Sequence, residues 1–261
     1  MSGSAQLINK TNAISMNVAI HLVVSLNELF ITFMKHLLLS LFSFALVPVA
    51  SAQNAEQIMQ SVRQVTALQQ EQDLHGSIRK GGRQTPLSLF LRGEDIQFAI
   101  DGGKERFHLR LTPETQELRE IIAGKTTVFP SNKISQPIVK SDVSYEDIAL
   151  KFLYWKNPRI AGEDTIKGQK CWRVHVVNPN QSGNYREVSV WVSKAQRALM
   201  RVIGYGPQPA RSPLKQFEIT DIMKVNNAYT VKTMKVSAFD ARGKTSGITY
   251  LDFNKSQRKG R

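Results

Sequence analysis

From residue 87 onward the chain falls into short runs of alternating apolar and polar residues separated by turn-forming clusters, and that succession restricts the fold more than any other feature. Runs at 87–92, 95–100, 106–111 and 117–122 are each about six residues long, the ordinary length of a strand. Between them lie Arg92-Gly-Glu-Asp, Asp101-Gly-Gly-Lys, Thr112-Pro-Glu-Thr and Ala123-Gly-Lys-Thr, all rich in turn formers. Strands joined by such short turns can pair only antiparallel with their neighbours, because a parallel crossover needs about a dozen residues or more. A second series follows at 165–167, 170–177, 186–193, 199–205, 214–225, 229–239 and 245–253, with Asn226-Asn227 and Asp240-Ala-Arg-Gly-Lys244 as hairpin turns. The expected class is therefore mainly β, with about eleven antiparallel strands. No Gly/Ser linker divides the two series, so one domain over 53–254 is expected. In 214–225 the alternation slips at Asp221-Ile222, after Phe217 and Ile219 and before Met223 and Val225.

Two segments carry a helical period instead. Over 54–72, Ile58, Val62, Val65 and Leu68 share one face, with Gln, Glu and Arg opposite. Over 141–155 the sequence reads Ser141-Asp-Val-Ser-Tyr-Glu-Asp-Ile-Ala-Leu-Lys-Phe-Leu-Tyr-Trp155. Ser144 suits the N-cap, and Asp147, three residues on, takes the reciprocal position of a capping box and the positive end of the helix dipole. Ile148, Ala149, Phe152 and Leu153 form a broad apolar face, with Tyr145 and Trp155 at its margins, and Pro158 ends the element. Two helices are too little material to cover eleven strands. A large sheet with one greasy face must then curl or be covered, which raises a hollow, apolar concave side.

The amino terminus reads differently. Met34-Lys-His precedes an unbroken apolar run at 37–47 and then Pro48-Val-Ala-Ser-Ala52, the three parts of a cleavable secretory signal peptide. The run is shorter than the ~20 residues that span a bilayer. Cleavage after Ala52 is expected, with export across the inner membrane to the periplasm. Residues 1–33 precede this signal and read either as sequence upstream of a true start at Met34, as an authentic long leader, or as an uncleaved anchor. The net charge is +14, and removing Lys10, Lys35 and Glu28 with the leader leaves 33 basic against 20 acidic residues, or +13. Behind an export signal such a charge points to an anionic membrane surface or acidic partners rather than nucleic acid. The tail 255–261 is a basic run expected to be disordered. Cys171 is the single cysteine and reads as a small buried hydrophobe in a strand.

No catalytic signature is present. The chain lacks Gly-x-Ser-x-Gly, His-Glu-x-x-His and the phosphate-cradling Gly-x-x-x-x-Gly-Lys-Ser/Thr. His75, His108 and His175 are single histidines and form no metal-site spacing, so neither metal nor cofactor is implied. Acidic pairs at Glu94-Asp95, Glu146-Asp147 and Glu163-Asp164 are the material a glycoside hydrolase would need, but neighbours on a strand point to opposite faces. Caps explain the middle pair. Trp155, Trp172, Trp191, Tyr154 and Phe152 suit either a ligand-lining cluster or ordinary core packing.

The segment Ser141-Asp-Val-Ser-Tyr-Glu-Asp-Ile, continued by Ala-Leu-Lys-Phe-Leu-Tyr-Trp155, resembles the Ser-Asp-Phe-Ser-Tyr-Glu-Asp-Leu type of segment in the outer-membrane lipoprotein-sorting (LolA-like) family. Cys171-Trp-Arg-Val, Val190-Trp-Val-Ser, Ala198-Leu-Met-Arg-Val-Ile-Gly-Tyr205, Leu214-Lys-Gln-Phe-Glu-Ile and Thr249-Tyr-Leu follow in the expected order, so the likeness extends over most of 55–253. The resemblance implies an incomplete barrel, a strongly curved antiparallel sheet with an amino-terminal helix and a lid helix over an apolar cavity. It also implies a monomeric, non-enzymatic periplasmic carrier of acylated lipoprotein or lipid cargo, working between an inner-membrane transporter and an outer-membrane acceptor. On that reading Ile148, Phe152, Leu153 and Trp155 form the lid face, and Leu89, Leu91, Phe98 and Met200 the sheet side of a lipid-binding site. A lipoprotein-sensing regulatory module of the same fold and a periplasmic hydrolase are the alternatives. Gly206-Pro-Gln-Pro-Ala-Arg-Ser-Pro213 departs from the simpler turn expected at that rim.

Overall fold

The two meanders are joined by a strand that the periodicity does not reveal. Strand β1 (Gln72–Lys80) pairs on one side with β2 (Arg83–Arg92) and on the other with the last strand, β13 (Thr245–Lys255). The computed structural model describes residues 54–67, 71–180, 182–207, 212–225 and 228–255. The expected leader and signal peptide, residues 208–211 of the proline-rich turn, the Asn226-Asn227 turn and the basic tail beyond 255 lie outside the described residues. Among these residues the sheet has 13 strands, not about eleven, in the order β6-β5-β4-β3-β2-β1-β13-β12-β11-β10-β9-β8-β7.

The remaining strands of the first wing are β3 (Asp95–Ile100), β4 (Glu105–Leu111), β5 (Gln116–Ile122) and β6 (Lys125–Val128). Those of the second are β7 (Arg159–Ile166), β8 (Gln169–Val177), β9 (Glu187–Ser193), β10 (Leu199–Tyr205), β11 (Pro213–Val225) and β12 (Ala228–Phe239). The two additional strands are β1 and β6. β1 carries His75 and Gly76 where alternation would place a polar–apolar pair, and all four residues of β6 are exposed, so neither shows a one-sided apolar period. The slip at Asp221-Ile222 has a counterpart in the structure: the β11–β12 register is irregular on both sides of Asp221, which pairs with Thr233, and resumes at Ile222 opposite Val231.

Gly76 stands where the backbone of β13 lies close against β1. A Cβ at this position would overlap the Asp252 carbonyl oxygen and crowd the Phe253 backbone. A glycine inside a strand marks such an approach. The β1–β2 turn is Gly81-Gly82 with φ of 53° and 76°, the pair of positive values a two-residue type I′ hairpin requires.

Helix α1 (Ala55–Ala67) begins at Asn54, whose Oδ1 accepts from the Gln57 amide (2.8 Å) while Gln57 Oε1 accepts from the Asn54 amide (3.1 Å). Its buried positions are Ala55, Ile58, Met59 and Val62; Val65 is largely exposed, and Leu68 lies outside the described residues. The helix packs against β4 of one wing and β7 of the other. Those strands are ten places apart in the sheet, a distance of roughly 48 Å if it were flat, whereas a helix is only about 10–12 Å across. The sheet is therefore strongly curved, and it is not closed, because β6 and β7 each end the ladder.

The expected continuous helix over 144–155 is two pieces. Helix α2 (Tyr145–Ala149) stops at Leu150, which takes left-handed φ/ψ of 51° and 28°, and a 3₁₀ turn (Lys151–Tyr154) follows. The break lets one short segment serve two cores. Tyr145 and Ala149 pack with Leu74, Ile78, Leu91, Phe98, Phe107 and Leu109 on the first wing. Phe152 and Leu153 instead pack with Ile58, Met59, Val62, Val174, Val190 and Val202 beneath α1. An unbroken helix would aim all of them at one side, so burial in both cores offsets the ~1–2 kcal/mol that a left-handed leucine costs.

Candidate functional site

The apolar surface on the inner side of the sheet is unevenly covered. Strands β3 and β4 bury Ile96, Phe98, Ile100, Phe107, Leu109 and Leu111, and β8 and β9 bury Val174, Val176, Val188, Val190 and Val192. Between these wings Phe217, Met223 and Val225 of β11, Val231 and Met234 of β12 and Leu251 of β13 touch the first core yet remain half-buried. Phe217, Leu150 and Tyr154 border both cores and mark their seam.

Residues 129–155 run as a strap beside this surface and are tied down by polar contacts to several elements. Lys133 Nζ donates to Glu120 Oε1 of β5 (2.6 Å) and lies 3.1 Å from Glu105 Oε1 of β4. Tyr145 Oη donates to the same Glu105 carboxylate. The Tyr145 ring packs edge-on against Phe107 (5.6 Å between centroids) and tilted against Phe129 (4.8 Å), and Lys133 Nζ lies 5.0 Å from its centre. Asp142 accepts from Lys80 Nζ of β1 (2.6 Å) and from Thr249 Oγ1 of β13 (2.8 Å). Arg63 of α1 donates to the Leu153 carbonyl (2.8 Å), which ties the 3₁₀ turn to the amino-terminal helix.

The most buried of these contacts is at the start of α2. Asp147 Oδ2 accepts from the Ser144 amide (2.6 Å), the capping contact expected from the sequence, and also from Lys215 Nζ of β11 (2.8 Å), while Tyr185 Oη donates to Oδ1. The Asp147 and Lys215 side chains are 1% and 14% exposed. Glu146 Oε2 accepts from the Asn184 amide (2.8 Å). Caps thus explain only half of the acidic pair, since Glu146 binds a neighbouring loop.

Burial and the adjacent carboxylate set the ionisation of this cluster. Desolvation raises the Glu146 carboxyl above the ordinary glutamate value, and the Asp147 charge adds to it, against the Asn184 amide and Lys215. Desolvation, with Asp147 beside it, raises the Tyr185 phenol, and desolvation with Glu105 raises that of Tyr145. Burial would lower the Lys133 ammonium, but hydrogen bonds to Glu120 and Glu105 outweigh it and leave it raised. An acid whose folded pKa is raised binds its proton more readily in the folded than in the unfolded state. Stability therefore falls as pH rises from the ordinary glutamate range through the raised value. Glu146→Gln, which keeps an acceptor for the Asn184 amide, is expected to flatten this decline. Urea unfolding of both proteins at a series of pH values measures it, and parallel profiles would contradict it.

Of the residues expected at a lipid site, Leu89 and Ile148 sit half-buried against the first core, where Leu91 and Phe98 are fully buried. Phe152 and Leu153 are buried and Trp155 half-buried beneath α1. Met200 is not part of this group. It packs on Ile166, Cys171 and Trp191, whose side chains lie across the sheet from Val174, Val190 and Val192, because the β9–β10 register shifts between Leu199 and Arg201. Cys171 is buried, as its strand position implied. The latch residues Lys80, Glu105, Glu120, Lys133, Asp142, Tyr185 and Lys215 were not singled out by sequence. They sit in unrelated segments, and no spacing announces that they meet.

The other acidic pairs meet hydrogen-bond donors and a lysine, and among the described residues neither faces a second carboxylate across a cleft. Asp95 meets His108 (2.9 Å), Glu163 meets Lys194 (2.5 Å), and Asp164 accepts from the Trp191 indole (2.7 Å). Among the described residues there is no group of three or more His, Cys, Asp or Glu placed to hold a metal, and no helix is long and apolar enough to cross a membrane.

A family model described as an uncharacterized protein matches residues 112–258, more than half of the chain. Curated proteins yield no match. Among solved structures, an outer membrane lipoprotein-sorting protein domain from Vibrio parahaemolyticus superposes with a TM-score of 0.57 at 13% identity, covering 80% of this chain and 96% of its own. A DUF1329 family protein from Desulfovibrio piger gives 0.56 at 16% identity, with the same coverage of 80% and 96%. A LolA superfamily protein from Nitrosomonas europaea gives 0.54 at 12% identity, covering 78% and 93%. At these identities the likeness is one of fold.

Proposed function

This chain belongs to the family whose model covers residues 112–258 and shares its fold with outer-membrane lipoprotein-sorting (LolA-like) domains, and from that premise we propose that it is a periplasmic, non-enzymatic carrier that shields acyl chains of a lipoprotein or lipid. The observation that carries this reading is the half-buried apolar floor of Phe217, Met223, Val225, Val231, Met234 and Leu251. A sheet with a finished core buries such residues. Here they are left half-buried beside a strap that combines its own buried apolar residues with hydrogen bonds and ion pairs to the sheet, and the polar contacts can part and re-form in water. Each methylene moved from water onto this surface contributes about 0.8 kcal/mol, so a few suffice for useful binding that still permits hand-over. An inner-membrane transporter as donor, an outer-membrane acceptor, an anionic membrane surface and export through a cleaved signal peptide complete the proposal.

Ile148 and Met234 are the positions at which to test it, because Phe152 and Leu153 are so deeply buried that a charge there would disrupt folding. Ile148→Asp and Met234→Asp place a charge at the strap and at the floor while the deep core stays intact. Binding of a fluorescent fatty acid should weaken about tenfold or more, a loss of ~1.4 kcal/mol that corresponds to fewer than two buried methylenes. Unchanged affinity in both variants, with native circular dichroism, would remove this surface as the binding site. Native mass spectrometry of the mature protein then identifies any retained cargo.

A further inference from the structure

The two-residue turn between β1 and β2 puts like charges face to face. Lys80 and Arg83 are the last cross-strand pair of the β1–β2 hairpin, directly opposite each other across Gly81-Gly82. Directly opposed like charges destabilise an antiparallel pair, and polar neutral residues would make the same turn without that cost. Lys140 of the strap joins them on a cleft of about 260 Å³ whose walls also include Ile78, Thr85 and Val139. Lys80 is paired with Asp142, but among the described residues the side chains of Arg83 and Lys140 have no ion-pair or hydrogen-bond partner.

The strap reaches this cleft through strained backbone. Val139 and Lys140 have φ of 43° and 61°, and a β-branched residue in the left-handed region is an outlier that surrounding structure must hold in place. Ile138, fully buried, and Asp142, tied to Lys80 and Thr249, hold the two ends of this short turn.

The position of the cleft matters as much as its charge. Lys80, Arg83, Ile78 and Thr85 share one face of the hairpin, and Ile78 belongs to the inner core. Ile78 is paired across the ladder with Leu251, and Leu251 with Met234. An apolar row two strand spacings long, roughly 10 Å, thus runs from the floor of the basic cleft to the half-buried surface between the wings. A molecule with apolar chains on that surface would present its polar end to Lys80, Arg83 and Lys140.

We infer that this cleft binds the phosphate of an anionic lipid whose acyl chains lie on the inner face. The inference rests on the carrier reading and narrows it to phosphate-bearing cargo. Phosphate suits the site because Arg83 and Lys140 line the cleft beside Lys80, the only one of the three that a carboxylate, Asp142, pairs among the described residues, and a guanidinium and ammonium groups are the usual donors to its oxygens.

The test compares short-chain phosphatidic acid, the matching neutral diacylglycerol and inorganic phosphate by calorimetric titration of the mature protein and of Arg83→Gln/Lys140→Gln. The wild type should bind phosphatidic acid at least about tenfold tighter than diacylglycerol, and the double variant should lose that preference while retaining diacylglycerol binding. The preference should also shrink as salt is raised, since the cleft is open to solvent. Because Arg83 opposes Lys80, the double variant should melt no lower than wild type. Equal affinity for the two lipids in the wild type would overturn the headgroup site and leave the carrier reading standing. Binding of inorganic phosphate with neither lipid bound would overturn both, as would the absence of any binding. A preference that survives in the double variant would place the phosphate elsewhere.

Discussion

Gly76→Ala is expected to destabilise the protein by about 3 kcal/mol or more, at the upper end of what an overpacked position costs. The added Cβ overlaps the Asp252 carbonyl oxygen, a backbone atom, so no side-chain rotation relieves it. Only a separation of β1 from β13 makes room, and that ladder is the one connection between the wings in the strand order. The effect should appear as a lowered urea midpoint and as faster amide exchange along β1 and β13 than in β8 and β9. Gly206→Ala is the control, because nothing lies closer than 3.8 Å to a Cβ there. A surface substitution of that kind stays within roughly 0.5 kcal/mol. If the two alanine variants unfold alike, the close approach at Gly76 does not hold the sheet together.

Lys215→Met should be nearly as damaging, by roughly 3–5 kcal/mol, the range found when one partner of a buried ion pair is removed. Asp147 is almost wholly buried, and its remaining partners, the Ser144 amide and the Tyr185 hydroxyl, donate hydrogen bonds but carry no compensating charge. The double variant Asp147→Asn/Lys215→Met removes both charges and should recover most of the loss, since a buried pair as a unit contributes little net stability. Urea unfolding of the wild type, both single variants and the double variant gives the coupling between the two positions. Strictly additive losses would mean that the contact does not hold the strap to β11. If the contact acts as a latch, the double variant should also take up and release fatty acid faster than wild type while remaining folded.

Much of the fold was legible in the chain because it rests on local rules. The strands with one buried face show a period of two, and the slip in alternation at Asp221-Ile222 coincides with a local irregularity of the β11–β12 register. The α1 face and the Asp147 cap are likewise contacts within a few residues. β1 and β6 lack that period for opposite reasons. β1 is central, its pattern interrupted at His75-Gly76 where the backbone of β13 comes close, and β6 is a wholly exposed edge with no apolar face to betray it. The continuous helix expected over 144–155 failed at Leu150, because period alone assumes a single core and this segment packs into two.

The candidate site divides along the same line. Sequence by itself determined the class of fold, the apolar character of the 145–155 segment and its likeness to the LolA-like family, since periodicity and motif are properties of neighbours along the chain. Only the tertiary structure decided that Met200 faces the other side of the sheet, that Asp147 meets Lys215 and Tyr185, that Lys133 joins Glu105 to Glu120, and that Lys80, Arg83 and Lys140 share one cleft. Lys215 and Asp147 are 68 residues apart, and Lys80 and Asp142 are 62. The order in which strands join a curved sheet brings such residues together, and no local spacing encodes that order.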